Sequence, residues 1–116
     1  MALSFTKRVL SGSTNGQPIS VTAVGATGNI VHTTASQTDE IWLWAMNTAT
    51  YTARLTVEWG GTATTNSIAY DIPAAGAGPV QIVPGWSLTA TLVARVYATV
   101  ASVLTINGYV NRISVT

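Results

Sequence analysis

The stretch DEIWLWAMNTATYTARLTVE, residues 39–58, decides the fold. Its first half, Ile41-Trp42-Leu43-Trp44-Ala45-Met46, offers apolar side chains to both sides of an extended strand. Its second half alternates: Tyr51, Ala53, Leu55 and Val57 on one side, Thr52, Arg54, Thr56 and Glu58 on the other. The connector Asn47-Thr48-Ala49-Thr50 predicts an antiparallel hairpin of 40–46 with 51–59, with Tyr51, Leu55 and Val57 in the core. A strand apolar on both faces needs cover on both. A second sheet covers one, and two indoles at i and i+2 are costly to leave wet on the other. At least one of Trp42 and Trp44 is therefore expected at or beside a contact between subunits.

Towards the N-terminus, Leu3 to Leu10 reads as an edge strand, marked by Lys7-Arg8 at its centre. Asn15-Gly16 is a type I′ hairpin signal, and Ile19-Ser20-Val21-Thr22-Ala23-Val24 alternates before Gly25 and Gly28 interrupt it. Residues 1–38 hold fewer core-forming side chains than the rest and read as an N-terminal arm or edge hairpin, with Phe5, Ile19, Val21, Ile30 and Val31 packing locally. Residues 39–116 form the core of the same single domain.

Towards the C-terminus, Ile68 to Ile72 and Val80 to Val83 are short strands, and Pro84-Gly85 is a type II turn signal. Trp86 to Tyr97 reads as one alternating strand, and a long hairpin is expected from 87 to 113. From Ser102 onward, Leu104, Ile106, Gly108, Val110 and Arg112 share a side, with Gly108 marking a bulge or a close crossing. No helical stripe supplies a βαβ crossover. The fold class is all-β: an antiparallel β-sandwich of about eight strands, jelly-roll-like. An immunoglobulin-like order suits the same strands, although the Cys and Trp spacing of such domains is missing.

Composition narrows the function. The 116 residues are a single-domain length, with nineteen Thr, thirteen Val and sixteen Ala, and charged residues are only 8% against about 25% in an average domain. So few charges point to surface hidden in an assembly. The net charge is +1, and the basic residues Lys7-Arg8, Arg54, Arg95 and Arg112 are scattered, which argues against nucleic acid. No apolar run reaches transmembrane length, no secretion signal is visible, and the absence of cysteine removes disulfides and thiolate metal sites.

Catalytic chemistry is poorly provided for, and no enzyme activity, cofactor or metal is expected. His32 is the single histidine and reads as a surface or turn residue. Glu58 with Asp71 or Asp39 is a formal glycosidase-type pair, and Asp39-Glu40 with Asp71 a formal calcium set, yet each acid reads more simply as a charge at a strand end. The glycines lack the lysine and helix of a phosphate loop. Aromatics remain: Trp42, Trp44, Trp59 and Trp86 with Tyr51, Tyr70, Tyr97 and Tyr109 suit a core or a subunit contact. A sugar site would add Asp, Asn, Gln or Glu beside them, and none lies between Ile41 and Met46. The candidate interface residues are Trp42, Trp44, Met46, Trp59 and Trp86, with Arg54 and Arg95 for ion pairs across strands or subunits.

The segments EIWLWAMN, VEWGG, IPAAG, VPG and GYVNRI, spread over residues 38–113, together resemble the small all-β structural proteins encoded near the major capsid gene of tailed bacteriophages. The resemblance implies a capsid decoration or cement protein, homo-oligomeric as a dimer or trimer, binding the major capsid protein or another virion protein. It implies a place on the capsid surface, reached from the host cytoplasm during assembly, and no nucleic-acid or membrane partner. A head-tail connection or tail component, and a carbohydrate-binding or receptor-binding fibre domain, are the alternatives.

Overall fold

The computed structural model describes residues 2–115; the outermost residues of the expected domain division, Met1 and Thr116, lie outside them. The strands among the described residues are β1 (Leu3–Val9), β2 (Ile19–Ser20), β3 (Asn29–Thr33), β4 (Thr38–Asn47), β5 (Ala53–Trp59), β6 (Ser67–Ile72), β7 (Val80–Leu88), β8 (Val93–Ala98) and β9 (Leu104–Val115), with one 3-10 turn at Thr64–Asn66. They form two packed antiparallel sheets. The first runs β1-β9-β4-β7, with β2 also on β9, and the second runs β3-β8-β5-β6. No helix among the described residues is long and apolar enough to cross a membrane.

β4 is the centre of the first sheet, with β9 on one edge and β7 on the other. Its inward row, Asp39, Ile41, Leu43, Ala45 and Asn47, is buried, while Glu40, Trp42 and Trp44 are half-buried and Met46 is exposed. The inward row meets Leu55 and Val57 of β5, and Ile72, Ile82, Val83, Val96, Leu104, Ile106 and Val110 complete one core.

The expected hairpin of 40–46 with 51–59 is not formed. Both edges of β4 are already paired, so the chain crosses after Asn47 to the opposite sheet, where β5 pairs β6 and β8. Asn47 holds that crossing: its amide NH₂ donates to the carbonyls of Tyr51 (2.9 Å) and Ile72 (3.1 Å), and its oxygen accepts the Ala49 N–H (2.8 Å). Tyr51 falls in the connector and is 49% exposed, outside the core expected for it, whereas Leu55 and Val57 are fully buried.

Three further connections differ from the sequence reading. Pro84-Gly85 is not a chain reversal but lies within β7, beside a register shift against β4, with Gly85 at φ +80°. The run Trp86 to Tyr97 is broken by a turn in which Leu92 N–H donates to the Thr89 carbonyl, Ala90 and Thr91 taking positive φ; β8 then belongs to the second sheet, so no hairpin spans 87 to 113. Asn15 and Gly16 do adopt the positive φ of a type I′ turn, yet β1 and β2 do not pair with each other. They lie one after the other along the same edge of β9.

In the N-terminal part, Leu10, Ile19, Val21 and Val31 are buried, while Phe5 (66% exposed) and Ile30 (45%) do not pack as expected. Every residue of β1 is exposed: the strand is left uncovered by the second sheet and among the described strands pairs with β9 alone.

Gly108 is a close crossing. A Cβ there would lie 2.0 Å from the Trp42 carbonyl oxygen, so β9 and β4 would have to separate. We expect Gly108→Ala to lower unfolding free energy by about 2–3 kcal/mol in urea titration, and an unchanged midpoint would contradict this packing.

Candidate functional site

The outer face of the first sheet is the most distinctive surface. In the ladders, Val9 lies opposite Tyr109 and Tyr109 opposite Trp42, and Lys7, Asn111 and Glu40 form the next row. Opposed residues of an antiparallel ladder share a face. Trp42, Trp44 and Tyr109 have ring centroids 6.5, 6.3 and 6.2 Å apart, with interplanar angles of 17°, 15° and 26°. Three nearly parallel rings at nearly equal mutual distances are a cluster rather than a column. Gly85 sets their pose: a Cβ there would fall 2.7 Å from Trp42 Cζ2, so the indole lies down over β7 where a side chain is missing.

Polar groups surround the rings. Glu40 Oε1 accepts the Trp42 indole N–H at 2.8 Å and the Asn111 amide at 3.1 Å; these donors, Trp42 first, hold the Glu40 carboxyl below its ordinary pKa. The Lys7 ammonium stands 4.3 Å above the Tyr109 ring, and the Asn107 amide touches Met46 sulfur at 3.7 Å. The acids and amides missing between Ile41 and Met46 are thus supplied from Glu40 and from β9. Beyond the rings the same face continues through exposed Met46 on one side and exposed Leu3, Phe5 and Val9 on the other.

Among the candidate interface residues, Trp42, Trp44 and Met46 share this face, and neither indole is fully buried. Trp59 and Trp86 do not join them. They meet edge to face at 5.5 Å and 86°, packed against the core. Arg54 and Arg95 lie on the outer face of the second sheet. Arg54 pairs with Asp71, its ladder neighbour, at 3.0 Å in an exposed contact, which raises the arginine pKa and lowers that of the acid. Arg95 borders an open depression of about 230 Å³ with Gly60, Gly61, Thr62 and Thr91 to Val93, and is the one charged residue of its lining.

His32 is not a surface or turn residue, and Asp39 is not a charge at a solvated strand end: they are 2% and 0% exposed. Ser11 N–H donates to His32 Nδ1 at 3.0 Å, so the ring proton sits on Nε2 and is donated to Asp39 Oδ2 at 2.7 Å. Arg112 closes a fork on the same carboxylate at 2.8 and 2.9 Å. Burial, the largest single influence on Asp39, works against its ionisation, but the hydrogen bonds from Arg112 and His32 and the charge of Arg112 together hold its pKa below the ordinary value. Both ring nitrogens of His32 are engaged, and the Ser11 hydroxyl accepts Thr33 N–H. The cluster is a clasp between β3 of one sheet and β4 and β9 of the other. Parity in the sequence carries the signal for it, since Asp39 alternates with Ile41 and Leu43, and Arg112 with Ile106 and Val110.

The formal acid pairs are also separated. Glu58 is 1% exposed, on the outer side of β5 beneath Gly28, whose N–H it accepts at 2.7 Å; its other oxygen has no hydrogen-bond partner. Asp71 faces Arg54, and Asp39 points inward. No group of three or more His, Cys, Asp or Glu among the described residues is placed to hold a metal ion.

Comparisons with known protein families, with curated proteins and with solved structures find no match to this chain.

The clasp predicts acid sensitivity. Asp39 has a folded-state pKa below its unfolded value, so its contribution is fully present above the unfolded value near 4 and is lost as pH falls from there through the folded value. Urea denaturation at pH 7 and pH 3 should show that loss, and Asp39→Asn should flatten it. At pH 7, Arg112→Met leaves a buried carboxylate short of its main partner and should cost about 3 kcal/mol or more. Equal pH dependence in Asp39→Asn and the parent chain would contradict the assignment.

Proposed function

We propose that this chain is a non-catalytic structural protein of a virion, a homo-oligomeric decoration or cement subunit that binds the major capsid protein or another virion protein on the capsid surface. Burial of the outer face of the first sheet is the mechanism. The observation that carries the reading is the row of exposed or half-buried apolar residues across that face: Phe5 and Val9 of β1, Tyr109 of β9, and Trp42, Trp44 and Met46 of β4. A folded chain leaves so many large apolar groups on one face chiefly where a partner covers them.

The strand order supports a jelly roll. β2 pairs β9, β3 pairs β8, β4 pairs β7 and β5 pairs β6, the pattern of one long double ribbon rolled into two sheets. Jelly rolls serve viral capsids and also lectins, and fold alone does not choose between them. Low charge density favours the assembly reading. Asp39 and Glu58, two of the four acids, are moreover buried, which leaves the surface poorer in charge than the composition suggests.

A second reading, saccharide binding by a fibre-type domain, is favoured by one observation: Glu40, Asn107 and Asn111 stand around the aromatic cluster, where a sugar's hydroxyls need partners.

Co-sedimentation with capsids stripped of their minor proteins tests the first reading. The chain should pellet with the shells, and Trp44→Ala with Phe5→Ser should weaken binding by tenfold or more. Chain that stays in the supernatant at tens of micromolar, while its tryptophan fluorescence is quenched by an oligosaccharide, would replace the first reading by the second.

A further inference from the structure

β1 does little for the monomer. All seven of its residues are exposed, it pairs only with β9, and no strand among the described residues occupies its other edge. An open edge presents unpaired main-chain donors and acceptors and is a template for another strand. We propose that β1 pairs antiparallel with β1 of a second copy, about a two-fold axis centred on Thr6. The inference rests on the assembly reading and names its first partner. It makes one continuous sheet, β7-β4-β9-β1 followed by β1-β9-β4-β7 of the partner, with both aromatic clusters on the same side.

The register follows from the sequence of β1 itself. The strand runs from Leu3 to Val9, so its midpoint is Thr6, and centring there pairs all seven residues. Leu3 then lies opposite Val9 of the partner subunit, Phe5 opposite Lys7 of the partner subunit, and Ser4 opposite Arg8 of the partner subunit. Apolar ends meet, each ammonium meets an aromatic ring, and no like charges are opposed. Centring on Lys7 instead would set two ammonium groups side by side, and centring on Phe5 would drop Val9 from the ladder. A slip of one residue would join the apolar face of one copy to the face bearing Ser4, Thr6 and Arg8 of the other. The two-fold is isologous, as closed dimers are. Seven paired residues are a small contact, so the free protein is expected as a concentration-dependent dimer in the micromolar range, tightened when both aromatic faces lie on one shell.

The chain has no cysteine, which makes a single-cysteine test clean. At the axis, Thr6 faces its own copy at the roughly 4.5–5.5 Å Cα separation of opposed ladder residues, within disulfide range; Ser4 lies roughly 14 Å from its own copy. Under mild oxidation at tens of micromolar, Thr6→Cys should give at least fivefold more covalent dimer than Ser4→Cys or Arg8→Cys alone, and an equimolar mixture of Ser4→Cys and Arg8→Cys should cross-link as Thr6→Cys does. Circular dichroism checks that each variant is folded, and the mixture serves if Thr6→Cys is not. Cross-linking no better than Ser4→Cys alone, or a monomer by light scattering up to about 100 μM, overturns the pairing. A cross-linked dimer that fails to pellet with capsids keeps the pairing and rejects the virion role. Capsid binding without cross-linking does the reverse.

Discussion

Two layers cover only one face of each sheet, and β4 is apolar on both of its faces. That constraint organises the molecule. The inward row of Ile41, Leu43 and Ala45 is met by the second sheet and is fully buried. The outward row has only what the first sheet supplies along its own surface: Gly85 gives Trp42 a place to lie, Tyr109 packs beside both indoles, and Glu40 takes the indole N–H. These contacts order the rings without hiding them. The cover completed inside the monomer is fixed by the core, and the cover left incomplete faces outward next to a strand that is itself unfinished.

Polar groups are used inside the sandwich where apolar ones would have been simpler. The Asp39 carboxylate receives Arg112 from β9 in its own sheet and His32 from β3 in the other, so it ties the layers at the end where β1 and β9 project. A buried ion cluster adds little net stability over apolar packing; its bonds join β4 and β9 of one sheet to β3 of the other. By taking the Ser11 N–H, His32 also holds the chain where it leaves β1. The overhanging strand is therefore anchored at its root while its own seven residues stay open.

Faces were legible in the sequence, and connections were not. Alternation correctly assigned Leu55 and Val57 to the core, put Leu104, Ile106 and Val110 together on one side of their strand, and set Trp42 and Trp44 together on one side of β4, because a period of two reports which residues share a face. Which strand pairs with which is set by competition for edges, and no local pattern records it. The connector at 47–50 looks like a hairpin loop but crosses between sheets, since β9 and β7 already flank β4 and Asn47 bonds the crossing. Pro84-Gly85 carries a turn signature but is absorbed into β7 as an irregularity under the Trp42 indole. His32 gave no signal by itself; its partner Asp39 did, through parity with Ile41, but an acid at a strand end is far more often solvated than buried, so the parity alone does not reveal the clasp. The aromatic cluster was half legible: the two tryptophans were evident from spacing, while Tyr109, Lys7, Asn107 and Asn111 join them only through the β1-β9-β4 ladder.

Fluorescence quenching of the outer-face indoles tests most directly whether another subunit supplies the missing cover. With Trp59 and Trp86 replaced by phenylalanine, emission reports Trp42 and Trp44 alone. Acrylamide quenching should be substantial in dilute protein and, under the proposed virion role, fall severalfold once the chain is bound to a capsid shell. Quenching that is unchanged when all of the protein is bound would show that the shell is engaged through some other surface and would contradict the account.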